Sequence, residues 1–133
     1  MVVFETFALM KFLKKEGGYE HILKTLQEGG VVSEATLYEL LYVVVRDFLG
    51  QGQDLDESLR KAEEIIDSLC LYLKKQNLSN GIAQQAAFFK IKYNKLNLSH
   101  FDCLALATAF ALKMPLCSGE KGLAQVKEVK MIV

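Results

Sequence analysis

A chain of 133 residues that is 51% hydrophobic and 24% charged, with nine glycines and one proline, has the composition of one compact soluble unit and excludes both a disordered tail and two domains. Sixteen basic residues balance sixteen acidic ones, so the global positive field of a strong nucleic-acid binder is absent and any such site must be local. Cys70, Cys103 and Cys117 form no Cys-x-x-Cys pair and read as buried free thiols of a reducing compartment, here the cytoplasm; the apolar runs are shorter than the ~18 residues of a membrane span, and no secretory signal pattern opens the chain.

Met1-Val2-Val3-Phe4 predicts a strand, and Leu9, Phe12 and Leu13 then fall on one helical face. Lys14 and Lys15 suit the negative end of that helix, and Gly17-Gly18 stop it. A second helix is expected over Tyr19 to Glu28 with Ile22, Leu23 and Leu26 inward, followed by a brief strand at Val31-Val32-Ser33. Leu37, Leu40, Leu41, Val44, Val45 and Phe48 give the next helix, closed by Gly50-Gln51-Gly52. The stripe Leu55, Leu59, Ala62, Ile65, Ile66 and Leu69 predicts a long helix over Asp54 to Lys74. After a turn cluster at Asn77 to Gly81, a helix from about Asn80 to Asn94 carries Ile82, Ala83, Ala86, Phe89 and Tyr93 inward. Ser99 is placed to cap an apolar helix over His100 to Lys113. Leu116-Cys117 and Val129 to Val133 predict two further strands, with a helical turn near Leu123 to Val126 between them. Four or five short apolar strands separated by helices imply crossover connections, hence an α/β fold with a mostly parallel sheet covered on both faces.

Ligands of open α/β sheets bind beyond the carboxyl ends of the strands. Four acids fall there: Glu5 after the first strand, Glu39 early in the helix after the second, Asp102 at the start of the helix that Ser99 opens, and Glu120 after Leu116-Cys117-Ser118-Gly119. Carboxylates converging at one edge repel one another unless a divalent cation neutralises them, and oxygen-only ligation selects Mg²⁺ or Mn²⁺. Such an ion supports phosphodiester hydrolysis, so the pattern points to a nuclease. Plainer roles compete with this one. Thr36-Leu37-Tyr38-Glu39 and Ser99-His100-Phe101-Asp102 both fit a capping box, Glu5 a strand-end acid and Glu120 a turn residue.

Several stretches taken together resemble the PIN-domain family, and within it the VapC-type toxins of prokaryotic toxin–antitoxin pairs. They are Val2-Val3-Phe4-Glu5-Thr6-Phe7-Ala8-Leu9; Val31-Val32-Ser33 followed by the helix bearing Glu39; Ser99-His100-Phe101-Asp102 before the Ala-rich Cys103 to Ala109; and Cys117-Ser118-Gly119-Glu120. The resemblance spans nearly the whole chain and implies one PIN-like domain over 1–133. It implies a three-layer α/β/α fold, an endoribonuclease dependent on Mg²⁺ or Mn²⁺, a homodimer and an antitoxin partner that occupies the groove. By the same resemblance, Glu5, Glu39, Asp102 and Glu120 are the catalytic and metal-binding acids, with Thr6, Ser99 and Ser118 as supporting hydroxyls. Glu5 and Glu120 depart from the Asp usual at the first and fourth places. The added methylene lengthens their reach and tilts the site away from strict Mg²⁺ geometry toward Mn²⁺.

Two other functions fit the pattern less completely. One is a PIN-like binding or scaffold protein without nuclease activity; the other is a doubly wound phosphotransfer or receiver-like domain, against which the Ser99 to Ala109 segment argues. RNA contacts are expected from Lys11 and Lys121, with Lys14, Lys15 and Arg46 as further candidates. Tyr38, Tyr42 and Tyr93 could stack on bases, although their helical spacing among apolar residues suits core or dimer surface. With four acids gathered at a cation, zero net charge leaves room for a local lysine rim.

Overall fold

Alternation along three short apolar strands explains the layering of the molecule, for which the computed structural model describes residues 1–132, the Lys121 side chain excepted. In β1 (Val2–Phe4), Val2 and Phe4 join one core and Val3 the other. Val32 and Val31 divide in the same way in β2 (Gly30–Ser33), as do Cys117 and Leu116 in β4 (Leu116–Cys117). Strands buried on both faces are what a parallel sheet between helical layers requires. The first core is closed by α1 (Thr6–Leu13), α2 (Tyr19–Gln27), α3 (Glu34–Gly50) and α4 (Leu55–Leu69). The second is closed by α5 (Asn80–Lys92), α6 (His100–Leu112) and the segment bearing Leu123, Val126 and Val129.

With β3 (Leu73–Gln76) and β5 (Met131–Ile132), the sheet has the order β3-β2-β1-β4-β5, and each paired neighbour is parallel. β1 is central: the chain leaves it to β2 on one side through α1 and α2, and returns to its other side as β4 after α5 and α6. Ligands of open α/β sheets bind at such a reversal. Phe4 pairs with both Val32 and Cys117, so three strand ends, and the residues after them, come into line.

Four local expectations are corrected. The helix expected to reach Lys74 ends at Leu69 with Cys70 as its C-cap, and 73–76 pair with β2 as an edge strand. Leu55 and Leu59, expected inward, are exposed at 54% and 37%; the buried residues of α4 are Ser58, Ala62 and Leu69. Cys103 and Cys117 are buried free thiols as expected, but Cys70 is exposed because it lies just past the helix end. The last strand is confined to Met131–Ile132, Val129 packs in the core ahead of it, and Val133 lies outside the described residues. No helix among the described residues is long and apolar enough to cross a membrane.

Candidate active site

β1 runs directly into Glu5, which is the N-cap of α1 and only 2% exposed. Caps are usually Ser, Thr, Asp or Asn, whose short side chains reach the first free amides. The longer glutamate does that and more. Its Oε1 accepts from the Ala8 amide at 2.7 Å and from the Gly119 amide at 2.9 Å, so one carboxylate ties the start of α1 to the loop after β4. The Phe7 amide also bonds it. Burial pushes the Glu5 carboxyl up, the backbone bonds oppose this, and the charge of Asp102 adds to the rise.

Glu39 comes from α3. Its Oε1 accepts the hydroxyl of Thr6, which is itself 2% exposed. The capping-box role open to Glu39 is not the one it takes: Ser33 caps α3 by accepting from the Ala35 amide at 3.1 Å, and Thr36 lies inside the helix. Burial raises the Glu39 carboxyl, the Thr6 bond opposes this, and Asp102 adds to the rise.

Asp102 does form the capping box the sequence offered. The Ser99 amide donates to Asp102 Oδ2 at 2.9 Å, and the Asp102 amide donates to Ser99 Oγ at 3.0 Å. Capping fixes the direction of the carboxylate without consuming Oδ1. On the loop after β4, Ser118 Oγ accepts the Glu120 amide at 2.9 Å and Ser118 is 5% exposed, so the hydroxyl turns the chain at the position of Glu120. Gly119 leaves room there: a Cβ would stand 3.3 Å from the backbone C and O of Phe7, a contact that only a shift of that backbone would relieve.

The four acids feel one another. Glu120 is pushed up to about 7, first by burial and then by Asp102, Glu5 and Glu39. Asp102 raises each of the other three. Sequence reasoning thus names the members of an electrostatic cluster drawn from β1, α3, α6 and the loop after β4. It missed the use of Glu5 as a brace, which depends on an amide 114 residues away. It missed Ser33 as a cap, although a serine at a strand end just before an acidic residue is a readable start signal. Lys11 is half-buried on α1 and close enough to Cys117 to oppose the rise of its thiol, while the side chain of Lys121 lies outside the described ones. Tyr38 and Tyr42 are exposed at 61% and 56%, so neither is core.

Among the described residues, no three His, Cys, Asp or Glu side chains stand close enough to close a metal cage. Glu5, Glu39 and Asp102 each have an oxygen bonded within the protein. The donor set is all oxygen, and the charge of Asp102 raises the carboxyls of Glu5, Glu39 and Glu120, the condition a divalent cation relieves. Mg²⁺ keeps several waters and takes one or two carboxylates directly, so the residues fit a partly hydrated ion rather than an enclosed one.

A β-α arrangement with a five-stranded parallel sheet and acids at the strand ends where the topology reverses defines the class, and residues 2–129 match the PIN domain: the chain belongs to that family. Solved structures share the fold. The toxin–antitoxin complex from Klebsiella pneumoniae is 17% identical with a TM-score of 0.69, over 100% of this chain and 97% of that one. DNA-bound VapBC from Salmonella typhimurium is 11% identical with a TM-score of 0.73, over 99% and 98%. FitAcB from Neisseria gonorrhoeae is 17% identical with a TM-score of 0.70, over 100% and 97%. At these identities the likeness is one of fold. Among curated proteins, none matches this chain in sequence.

Proposed function

We propose that this chain is an endoribonuclease dependent on Mg²⁺ or Mn²⁺ and the toxin of a toxin–antitoxin pair. The observation that carries the reading is the gathering of Glu5, Glu39 and Asp102 near enough to Glu120 for their charges to act on it, with the loop that presents Glu120 tied to Glu5 through the Gly119 amide. Membership of the PIN domain family, whose members are generally nucleases using divalent metal ions, supports the same conclusion. The toxin–antitoxin neighbours support an antitoxin partner. The exposed Phe88, Ile91 and Phe110 support self-association as a homodimer.

In this reading no more than two of Glu39, Asp102 and Glu120 would hold the ion directly, the other would reach it through water, and Glu5 contributes from behind through the backbone it braces. When bound, the ion supplies polarisation of a phosphoryl oxygen and a more acidic water. Thr6 orients Glu39 by donating to its Oε1, and Ser99 orients Asp102 through the capping box. Ser118 sets the turn that presents Glu120. Because Glu120 takes a proton near neutral pH in the absence of a cation, it is the member whose charge follows occupancy most closely. Lys11 supplies positive charge for the RNA backbone, and Lys121 is assigned the same role from its place in the sequence.

The test is cleavage of single-stranded RNA with Mg²⁺ or Mn²⁺ before and after Asp102→Asn. Loss of cleavage with the variant is the expected result, and cleavage insensitive to it would sink the assignment. The backbone bonds to Glu5 and the open spacing of the acids favour the alternative, a PIN-like binding or scaffold protein without nuclease activity. That alternative requires no calorimetric Mn²⁺ binding at millimolar metal, whereas the nuclease requires a site abolished by Asp102→Asn.

A further inference from the structure

The face of α3 that carries Glu39 continues with Tyr42, Val43 and Arg46, three, four and seven residues further on. Arg46 is therefore about 10 Å along the helix from Glu39, the place of a neighbouring phosphate rather than the one under attack. The Arg46 guanidinium lies over the Tyr42 ring, 5.8 Å from its centroid. Arg46 also lines a cleft of about 490 Å³ with Lys11 of α1, with Lys14 just past its end, and with Glu120 of the candidate site. A second aromatic surface adjoins the acids: the exposed Tyr38 ring stands 5.8 Å from that of Phe101, the neighbour of Asp102.

Exposed rings beside cations and a carboxylate centre suit one kind of ligand. Bases stack on aromatic faces regardless of sequence, their phosphates seek cations, and a duplex cannot offer bases already stacked within it. The cleft is not uniformly basic. Glu16 lines it, and Lys14 is held by Asp47 at 3.1 Å. Asp47 lies 3.9 Å from Arg46, at the outer limit of an ion pair, so Arg46 and Lys11 are the cations best placed for a phosphate.

Resting on the ribonuclease reading, we propose that Tyr42, Arg46 and Lys11 form a subsite for a nucleotide of single-stranded RNA flanking the cleavage point. The base stacks on the Tyr42 face opposite Arg46, and its phosphate lies between Arg46 and Lys11. Tyr38 and Phe101 support the strand at the other end of Glu39.

The experiment is fluorescence anisotropy of a labelled oligouridine and of an RNA duplex, with Ca²⁺ as the divalent ion, for the wild-type chain, Tyr42→Ala, Tyr42→Phe and Arg46→Ala. Cleavage of the oligouridine in Mn²⁺ is measured in parallel. Single strand is expected to bind more tightly than duplex. Tyr42→Ala should weaken it about ten-fold, within the range of one stacked base, while Tyr42→Phe restores it. Arg46→Ala should weaken binding and reduce the salt slope by about one. Unchanged binding by Tyr42→Ala, or equal binding of duplex, overturns the subsite. So does a Tyr42→Ala chain that binds weakly only because it has passed from dimer to monomer in sedimentation, since the face is then an interface between copies. If the wild type cleaves in an Asp102-dependent way while Tyr42→Ala binds normally, the subsite alone falls; if the wild type neither binds nor cleaves, the ribonuclease reading falls with it.

Discussion

Replacing Glu5 separates its role as a hydrogen-bond acceptor from its role as a charge. Glu5→Ala leaves the Ala8 amide without its cap and the Gly119 amide without its partner, bonds of 2.7 and 2.9 Å in the wild type. Loss of a cap costs about 1 kcal/mol, and loss of the second bond about another. Removing the γ-methylene of a side chain only 2% exposed adds on the order of 1 kcal/mol more. Relief of a buried charge that Asp102 repels works the other way. The net expectation is a loss of about 2–3 kcal/mol, or roughly 10 °C in Tm for a domain of this size. Glu5→Gln keeps the Oε1 acceptor while discarding the charge. It should stay within about 1 kcal/mol of the wild type and gain on it toward neutral pH. Thermal melts of both variants, metal-free and at two pH values, are the assay. A glutamine variant that falls as far as the alanine variant would refute the brace, because the charge and not the acceptor would then be holding the loop.

Other outcomes follow from the same geometry. A carboxyl whose folded pKa lies above its unfolded value makes the folded chain bind more protons between the two, so its contribution falls as pH rises through that window. With Glu120 raised from 4.5 to about 7, the metal-free Tm should decline between pH 5 and 7.5, Glu120→Gln should flatten that decline, and Mn²⁺ should rescue the wild type more at pH 7.5 than at pH 5. Gly119→Ala should cost about 1–3 kcal/mol by melting and weaken Mn²⁺ binding in calorimetry, because its Cβ meets the Phe7 backbone at 3.3 Å and displaces the turn before Glu120. Phe89→Ala should cost about 3–5 kcal/mol in urea titration, since Phe89 is fully buried among the rings of Tyr93 and Phe110.

How far the sequence could be read depended on whether a signal was local. β1 and β2 declare themselves because strands buried on both faces are plain runs of Val and Phe. α6 does so because Ser99 and Asp102 are close enough in sequence to form their box unaided. β3 is hidden by its position at the sheet edge. Only Leu73 is buried, while Lys74 and Lys75 face solvent, and edge strands are commonly decorated with lysine. Charged residues after an amphipathic helix look like more helix. Glu5 and Glu120 were readable as acids that follow strands, and Glu39 and Asp102 as acids early in helices, but which of their oxygens the protein itself would claim was not. Nothing near Glu5 in sequence discloses that a glycine amide beyond β4 will claim its oxygen, nor does Thr36 disclose that Ser33 will cap α3 instead.

The Glu5 to Gly119 bond also has a consequence for biosynthesis. β1 is made before β4, and one of its hydrogen-bonding edges stays open until β4 is synthesised more than a hundred residues later. Closing so long a loop is entropically costly, and contacts of such sequence separation form slowly. A nascent chain stalled before residue 116 exposes that strand edge and lacks both Glu120 and the amide that fixes Glu5. The carboxylate cluster therefore cannot assemble on a partly made chain, and whatever chemistry it performs is withheld until synthesis has passed the loop after β4.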